Sequence, residues 1–174
     1  MKWFKCLMTA LLAAVLAVGM LAGCSGAPAA PNTPLPSDTE ALALYQGVSE
    51  TCTRYNVKTP VYAAELEPIA QEIAEAAVIH RYYTTQPSAA VIDKAKTDVS
   101  ALADGAEYLV YDLNPYDTAA KTPLSVNSMK NTIIQKGANR MGIVIVTLTN
   151  ADTKEEVKYE CTVYARFPDA AAQE

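Results

Sequence analysis

The sequence predicts an α+β fold in which helices come first and strands follow. In the N-terminal half, apolar residues recur every three or four positions, the spacing of an amphipathic helix. Near the C-terminus, residues 141–148 are rich in Ile and Val, and residues 157–167 alternate between apolar and polar. These two runs flank an Asn-Ala-Asp turn and predict an antiparallel β-hairpin. Helices segregated from strands indicate α+β.

Three helices are expected before Gly105. The first covers residues 37–55 and opens with Ser-Asp-Thr at 37–39, whose side chains suit an N-cap. The second begins near Glu65, because the apolar residues that follow form one stripe while the glutamates face away. The third covers residues 87–104, and Gly105 is its stop signal.

Short elements are expected between the third helix and the hairpin. Residues 106–113 contain alternating apolar residues and predict a strand, and Asn-Pro at 114–115 predicts a turn after it. Residues 125–135 predict a short helix.

The first 24 residues have the parts of a lipoprotein signal peptide. Lys2 and Lys5 form a positive start, residues 7–20 are apolar, and residues 21–24 read Leu-Ala-Gly-Cys. Small residues directly before a cysteine have the form of a lipobox, and no basic stop-transfer cluster follows. We expect cleavage before Cys24 and lipid on its thiol. The alternative is an ordinary signal peptide that contains a cysteine by chance.

Four segments are therefore expected along the chain. They are a signal peptide at 1–23, a tether at 24–38, one domain at 39–168 and a disordered tail at 169–174. The tether is rich in Pro, Ala and Ser, which predicts an extended, semi-stiff segment. Lipid on Cys24 holds the domain on the extracytoplasmic side of a bacterial cell membrane.

The charge and the motifs exclude several classes of function. Without Lys2 and Lys5, 12 basic residues face 19 acidic ones, a net charge of −7. Such an acidic chain is a poor partner for nucleic acid or for anionic lipid headgroups. Walker, GxGxxG and CxxC motifs do not occur, so no cofactor is expected.

Two cysteines remain after Cys24, namely Cys52 and Cys161. Disulfides persist outside the cytoplasm, and two cysteines allow one intrachain pair. A Cys52–Cys161 disulfide and two buried free thiols both fit the sequence.

His80 and Glu107 are the candidates for chemistry. His80 is the only histidine and continues the stripe of the second helix. It is either a general base or single ligand, or a half-buried residue at a helix C-terminus, where its positive form suits the dipole. Glu107 is a candidate groove carboxylate. A pair with Asp112 is not expected, because an odd separation along one strand points two side chains to opposite faces.

Tyrosines near Glu107 suggest a binding groove. Tyrosine offers a flat apolar face with a polar tip, which suits glycan or peptide. We place Tyr108 and Tyr111 in this candidate groove with Glu107 and His80. The alternative is that most tyrosines pack in the core.

The order of elements and four local segments resemble the CAP superfamily, the SCP-like extracellular domain. Residues 56–60 resemble the loop before that family's long first helix, and Gly-Ala-Glu-Tyr-Leu at 105–109 is similar to its Gly-Glu-Asn-Ile box. Residues 129–134 resemble its His-Arg-x-x-Ile-Leu segment, and residues 139–145 resemble its Arg-Val-Gly-Val-Gly-Val strand. The resemblance implies a three-layer α-β-α sandwich with a C-terminal antiparallel β-hairpin.

The resemblance also implies the loss of a metal site. The family's cleft carries two histidines with acidic partners, which bind a divalent metal. Here Met129 takes the second histidine position, residues 83–85 supply no first one, and only Glu107 remains. We therefore expect a non-catalytic cell-surface module that binds an unidentified protein or glycan. The alternatives are an envelope hydrolase that uses Glu107 with His80, and a structural envelope lipoprotein.

Replacing Cys24 tests the anchor. The variant Cys24→Ala should lose incorporation of labelled fatty acid and should leave the membrane fraction, because only the lipid holds the domain there. Intact mass spectrometry of the purified wild-type protein should show cleavage before Cys24 with acyl chains added. Cys6→Ala is the matched control. Membrane retention of the Cys24 variant would contradict the prediction.

Overall fold

The computed structural model describes residues 34–78, 87–116, 130–149 and 154–168, which belong to one compact unit. The predicted signal peptide, Cys24, most of the tether, His80, Met129 and the tail lie outside the described residues. Within the described ranges, no helix has the length and hydropathy needed to cross a membrane.

The described elements form a mixed sheet with helices around it. The α-helices are α1 (Thr39–Arg54), α2 (Glu67–Val78) and α3 (Ala89–Leu102), and the strands are β1 (Val61–Tyr62), β2 (Glu107–Pro115), β3 (Arg140–Thr149) and β4 (Glu156–Arg166). The strand order is β1-β3-β4-β2, with β1 parallel to β3 and the other pairs antiparallel. The fold is therefore α+β, and the predicted C-terminal hairpin is β3–β4.

The ends of the helices follow the predicted signals closely. The carboxylate of Asp38 accepts a hydrogen bond from the backbone N–H of Ala41 at 2.8 Å, which caps the first turn of α1. Before α2, the residues Ala64–Leu66 form a 3-10 turn that the helical pattern does not distinguish from an α-helix. Of the predicted helix at 125–135, the described part is a π-helical turn, Lys130–Gln135.

One strand was not predicted, and one prediction about the strands is wrong. The two residues of β1 are too few to show alternation, so no pattern in the sequence indicates this strand. Asn114 and Pro115 were assigned to a turn, yet they extend β2 and pair with Glu160 and Tyr159 of β4. Pro115 is tolerated there because it ends a strand at the edge of the sheet.

Helices cover both faces of the sheet. Four odd-numbered residues of β4 pack in one core cluster with α2 and α3, namely Tyr159, Cys161, Val163 and Ala165, and Val157 packs against it. Tyr164 of the same strand packs in a second cluster with α1. Because successive side chains of a strand point to opposite faces, the two clusters lie on opposite sides of the sheet.

A close contact between Leu66 and Gly142 fixes where the chain leaves the sheet. A Cβ atom at Gly142 would lie 2.5 Å from the Cβ of Leu66 and 2.9 Å from its carbonyl carbon. Only glycine lets the turn before α2 cross β3 so closely. The crossing directly follows β1, which pairs with only Arg140 and Met141 of β3.

Gly142→Ala should therefore destabilise the protein. A methyl group there meets backbone as well as side chain, so relief requires a backbone shift of the kind that costs about 1–3 kcal/mol. Urea denaturation followed by circular dichroism measures the free energy of unfolding. Ile134→Ala is the control, because Ile134 is exposed. An unchanged unfolding midpoint for the Gly142 variant would contradict the account of this crossing.

Candidate functional site

The three predicted groove residues that the structure describes, Glu107, Tyr108 and Tyr111, do not come together. Glu107 is exposed, and its carboxylate forms an ion pair with the guanidinium of Arg166 on β4. Tyr108 and Tyr111 pack against the core cluster on the other side of the sheet, beside α2 and α3. Burial is the main cause that raises the pKa of both tyrosines. His80, the fourth residue of the predicted groove, lies outside the described residues.

A bulge in β2 changes the predicted direction of Asp112. The pairing of β2 with β4 shifts between Tyr108 and Val110. The bulge adds one residue between Glu107 and Asp112 and so reverses the expected alternation of side chains. Glu107 and Asp112 therefore lie on the same face of the sheet, contrary to the prediction. They still do not pair, since Arg166 holds Glu107 and Asp112 lies opposite Thr162 farther along the strand.

Cys52 and Cys161 are both buried and form no disulfide, which agrees with the second of the two alternatives left open by the sequence. Cys52 belongs to the core cluster of α1, and Cys161 belongs to the cluster of α2 and α3. The sheet separates the two side chains. Burial raises the pKa of both thiols, which disfavours the reactive thiolate.

No sequence pattern predicted the carboxyl pair formed by half-buried Asp112 on β2 and buried Glu160 on β4. The amide of Asn114 joins them: its Nδ2 donates to Oε1 of Glu160 at 3.3 Å, and its side chain also hydrogen-bonds Asp112. Glu160 is only 4% exposed. Burial, reinforced by the nearby charge of Asp112, raises the pKa of Glu160 to about 7, and burial also raises the pKa of Asp112.

Buried hydroxyl groups extend this polar cluster along β4. Thr162 lies directly opposite Asp112, and Tyr164 is two residues further on the same face. Within the described part of the chain, Oγ1 of Thr162, the hydroxyl of Tyr164 and Oε2 of Glu160 are buried without a hydrogen-bond partner. The alternation in residues 157–167 does mark these side chains as one face. That alternation predicts a solvent-exposed polar face, however, because a single sequence does not show that other elements cover the polar side chains.

Besides the carboxyl pair on β2 and β4, the structure has a cleft at the opposite edge of the sheet. Because β1 ends at Tyr62, the outer edge of β3 beyond Met141 opens into a cleft of about 370 Å³ between α1 and α2. The cleft is lined by Ser37, Asp38, Ala41, Glu67, Gln71, Glu75, Ile143, Val144, Ile145, Val146 and Thr147.

Backbone groups of β3 point into this cleft. The carbonyls of Asn139 and Met141 accept hydrogen bonds from the N–H groups of Val61 and Ala63, both at 2.9 Å, so the odd-numbered residues face the outer edge. Alternation along the strand directs Ile143, Ile145 and Thr147 the same way. In the described ranges, these residues have no hydrogen bond on that edge.

The cleft is acidic. Asp38, Glu67 and Glu75 line it, and no Lys or Arg does so within the described part of the chain. Among the described residues, each carboxylate accepts one hydrogen bond: Asp38 from a backbone N–H of α1, Glu67 from the hydroxyl of Tyr62, and Glu75 from Gln71. A carboxylate accepts several hydrogen bonds, so each retains acceptor capacity for a bound cationic group.

Comparisons with protein-family models, with curated proteins and with solved structures give no match to this chain.

The buried carboxyl of Glu160 predicts an unusual pH dependence. The pKa of Glu160 is about 7 in the folded protein and near 4.5 when unfolded. Between these values only the folded state holds the proton, so rising pH lowers the free energy of unfolding, by an amount on the order of 1–3 kcal/mol. The stabilisation is complete below about pH 4.5 and is lost as pH rises through 7.

Glu160→Gln should remove most of this dependence, because glutamine stays neutral. Urea denaturation in EDTA buffer should show similar stability of the two proteins at pH 5 and a more stable variant at pH 8. Glu107→Gln, which alters an exposed carboxylate on the same sheet, should keep the wild-type pH dependence. Equal pH dependence of wild type and the Glu160 variant would contradict the assignment.

Proposed function

We propose that this chain is a lipid-anchored, extracytoplasmic binding module that captures an extended, basic polypeptide segment in the cleft beside β3. One observation carries this proposal: five residues of β3, from Ile143 to Thr147, present an open sheet edge between two helices. An added strand would pair with the outward backbone groups of β3. Main-chain hydrogen bonds give such a complex its affinity, and side-chain sites give it its specificity.

The positions of the carboxylates along α2 determine the spacing of basic residues that the bound polypeptide needs. Glu67, Gln71 and Glu75 follow one another every four residues on the cleft side of the helix. Four helical residues rise about 6 Å, and two residues of a strand span about 6.6 Å. Lysine or arginine at two positions four residues apart would therefore face Glu67 and Glu75. The residue midway between them would face Gln71.

The position of the cleft agrees with a tethered module. Asp38, which caps α1 and lines the cleft, is also the last residue of the predicted tether. The cleft thus lies where the chain enters the domain. With lipid on Cys24, the module would capture its ligand close to the membrane surface.

We further propose a CAP-type sandwich for the domain. Two observations support it, namely helices on both faces of the sheet and the β3–β4 hairpin that ends the domain. The envelope hydrolase alternative relies on the carboxylate of Glu107, which Arg166 already binds. No observation favours that alternative, and the binding proposal does not need Glu107.

Peptide binding tests the proposal. The probe is the labelled peptide acetyl-Lys-Val-Thr-Val-Lys-amide, and fluorescence anisotropy with the purified protein reports its dissociation constant. Binding should weaken as salt rises. Glu67→Gln with Glu75→Gln should weaken it up to about tenfold, since two solvent-accessible ion pairs with the peptide are lost. The control, Glu65→Gln with Glu72→Gln, removes the same charge outside the cleft lining and should bind like wild type.

Backbone pairing is tested separately. Thr147→Pro removes an outward N–H without touching the β4 ladder and should weaken binding, whereas Thr147→Ala should not. Binding that is indifferent to both the cleft carboxylates and Thr147→Pro would contradict the proposal. Absence of binding would favour a structural envelope lipoprotein, and concentration-dependent self-association through the same edge would identify a second copy as the occupant.

A further inference from the structure

We propose that the sheet face that packs against α1 contains a binding site for a hard divalent cation of the calcium class. The donors are oxygen atoms of four side chains: Asp112, Asn114, Glu160 and Thr162. The site is separate from the cleft beside β3, and the inference does not rest on the proposed peptide binding.

The strand register brings these four side chains together. Asp112 lies opposite Thr162, and Asn114 lies opposite Glu160. Directly opposed residues have Cβ atoms about 5 Å apart, and neighbours on one face of a strand are about 7 Å apart. Calcium–oxygen bonds are about 2.4 Å long, so ligands on opposite sides of the ion are about 5 Å apart. The Asn114 amide hydrogen-bonds both carboxyl groups, so the two groups lie close together in this structure.

Buried oxygen atoms without hydrogen-bond partners also support a cation site. Oγ1 of Thr162 is fully buried, Oε2 of Glu160 belongs to a side chain that is 4% exposed, and neither atom has a hydrogen-bond partner in the described ranges. Buried oxygens without a donor are unfavourable, and a cation would satisfy both. It would also offset the two negative charges. The nearby cation Lys158 is already bound by Glu40.

The donor atoms determine the class of metal. None of the four donor side chains is a histidine or a cysteine, which disfavours zinc and other metals that prefer nitrogen or sulfur. Two carboxylates, a hydroxyl and an amide carbonyl, presented by rotating Asn114, suit a hard cation. Calcium accepts such irregular sets of oxygens, whereas magnesium demands near-ideal octahedral geometry and gives up its water molecules reluctantly.

Terbium luminescence is the direct test, because Tb³⁺ occupies calcium sites and is sensitised by nearby aromatic rings. Trp3 is the only tryptophan and belongs to the predicted signal peptide, so Tyr164, beside the site, becomes the donor. Excitation of the exported protein should give Tb³⁺ emission that CaCl₂ displaces. We expect a calcium dissociation constant of about 10⁻⁴–10⁻³ M, typical of extracellular modules.

Variants then separate this site from surface carboxylates. Glu160→Gln and Thr162→Val should each weaken calcium binding at least tenfold, whereas Glu107→Gln should bind like wild type. Calcium should raise the melting temperature of wild type but not of the Glu160 variant. Circular dichroism checks that each variant is folded. Absence of Tb³⁺ emission and of any calcium effect at 10-fold excess over the expected dissociation constant (about 10 mM) would overturn the proposal. Binding that survives in both variants would also overturn it.

Discussion

The close crossing of Leu66 over Gly142 determines which part of the sheet remains open. The chain can leave the sheet after two residues of β1 because glycine lets the following turn pass directly over β3. From that turn, α2 continues with Glu67, Gln71 and Glu75 along the cleft. A longer β1 would have paired with the backbone groups that now face the cleft. A single small residue in β3 thus determines both the start of α2 and the open edge.

An open edge is a hazard for most proteins, because it is a template for aggregation. Here two helices flank the edge, and three carboxylates line the cleft between them. A second copy of this acidic chain would bring further negative charge to the cleft and would be repelled. A basic extended segment would be attracted instead. The features that protect the edge from self-association therefore also select its proposed ligand.

Local patterns predicted much of the fold, whereas the sites depend on long-range pairing. The three helices and the β3–β4 hairpin follow from apolar spacing, and Asp38 caps α1 as its residue type suggests. The carboxyl pair could not be predicted, because it needs the register of β2 against β4 and the bulge after Tyr108. The cleft could not be predicted either, because it is created by the end of a strand too short to leave a pattern. The candidate groove is wrong for its described residues, because Tyr108 and Tyr111 pack on the face of the sheet opposite to Glu107.

The central claim is that the outer edge of β3 is open and receives a strand. Amide hydrogen exchange, measured by NMR with and without the basic pentapeptide, tests it most directly. In the free protein the amides of Ile143, Ile145 and Thr147 should exchange quickly, while those of Val144 and Val146, which face β4, should be protected. Saturating peptide should slow exchange at the three outward amides. Protection of those amides in the free protein, or unchanged exchange when the peptide is bound, would contradict the account.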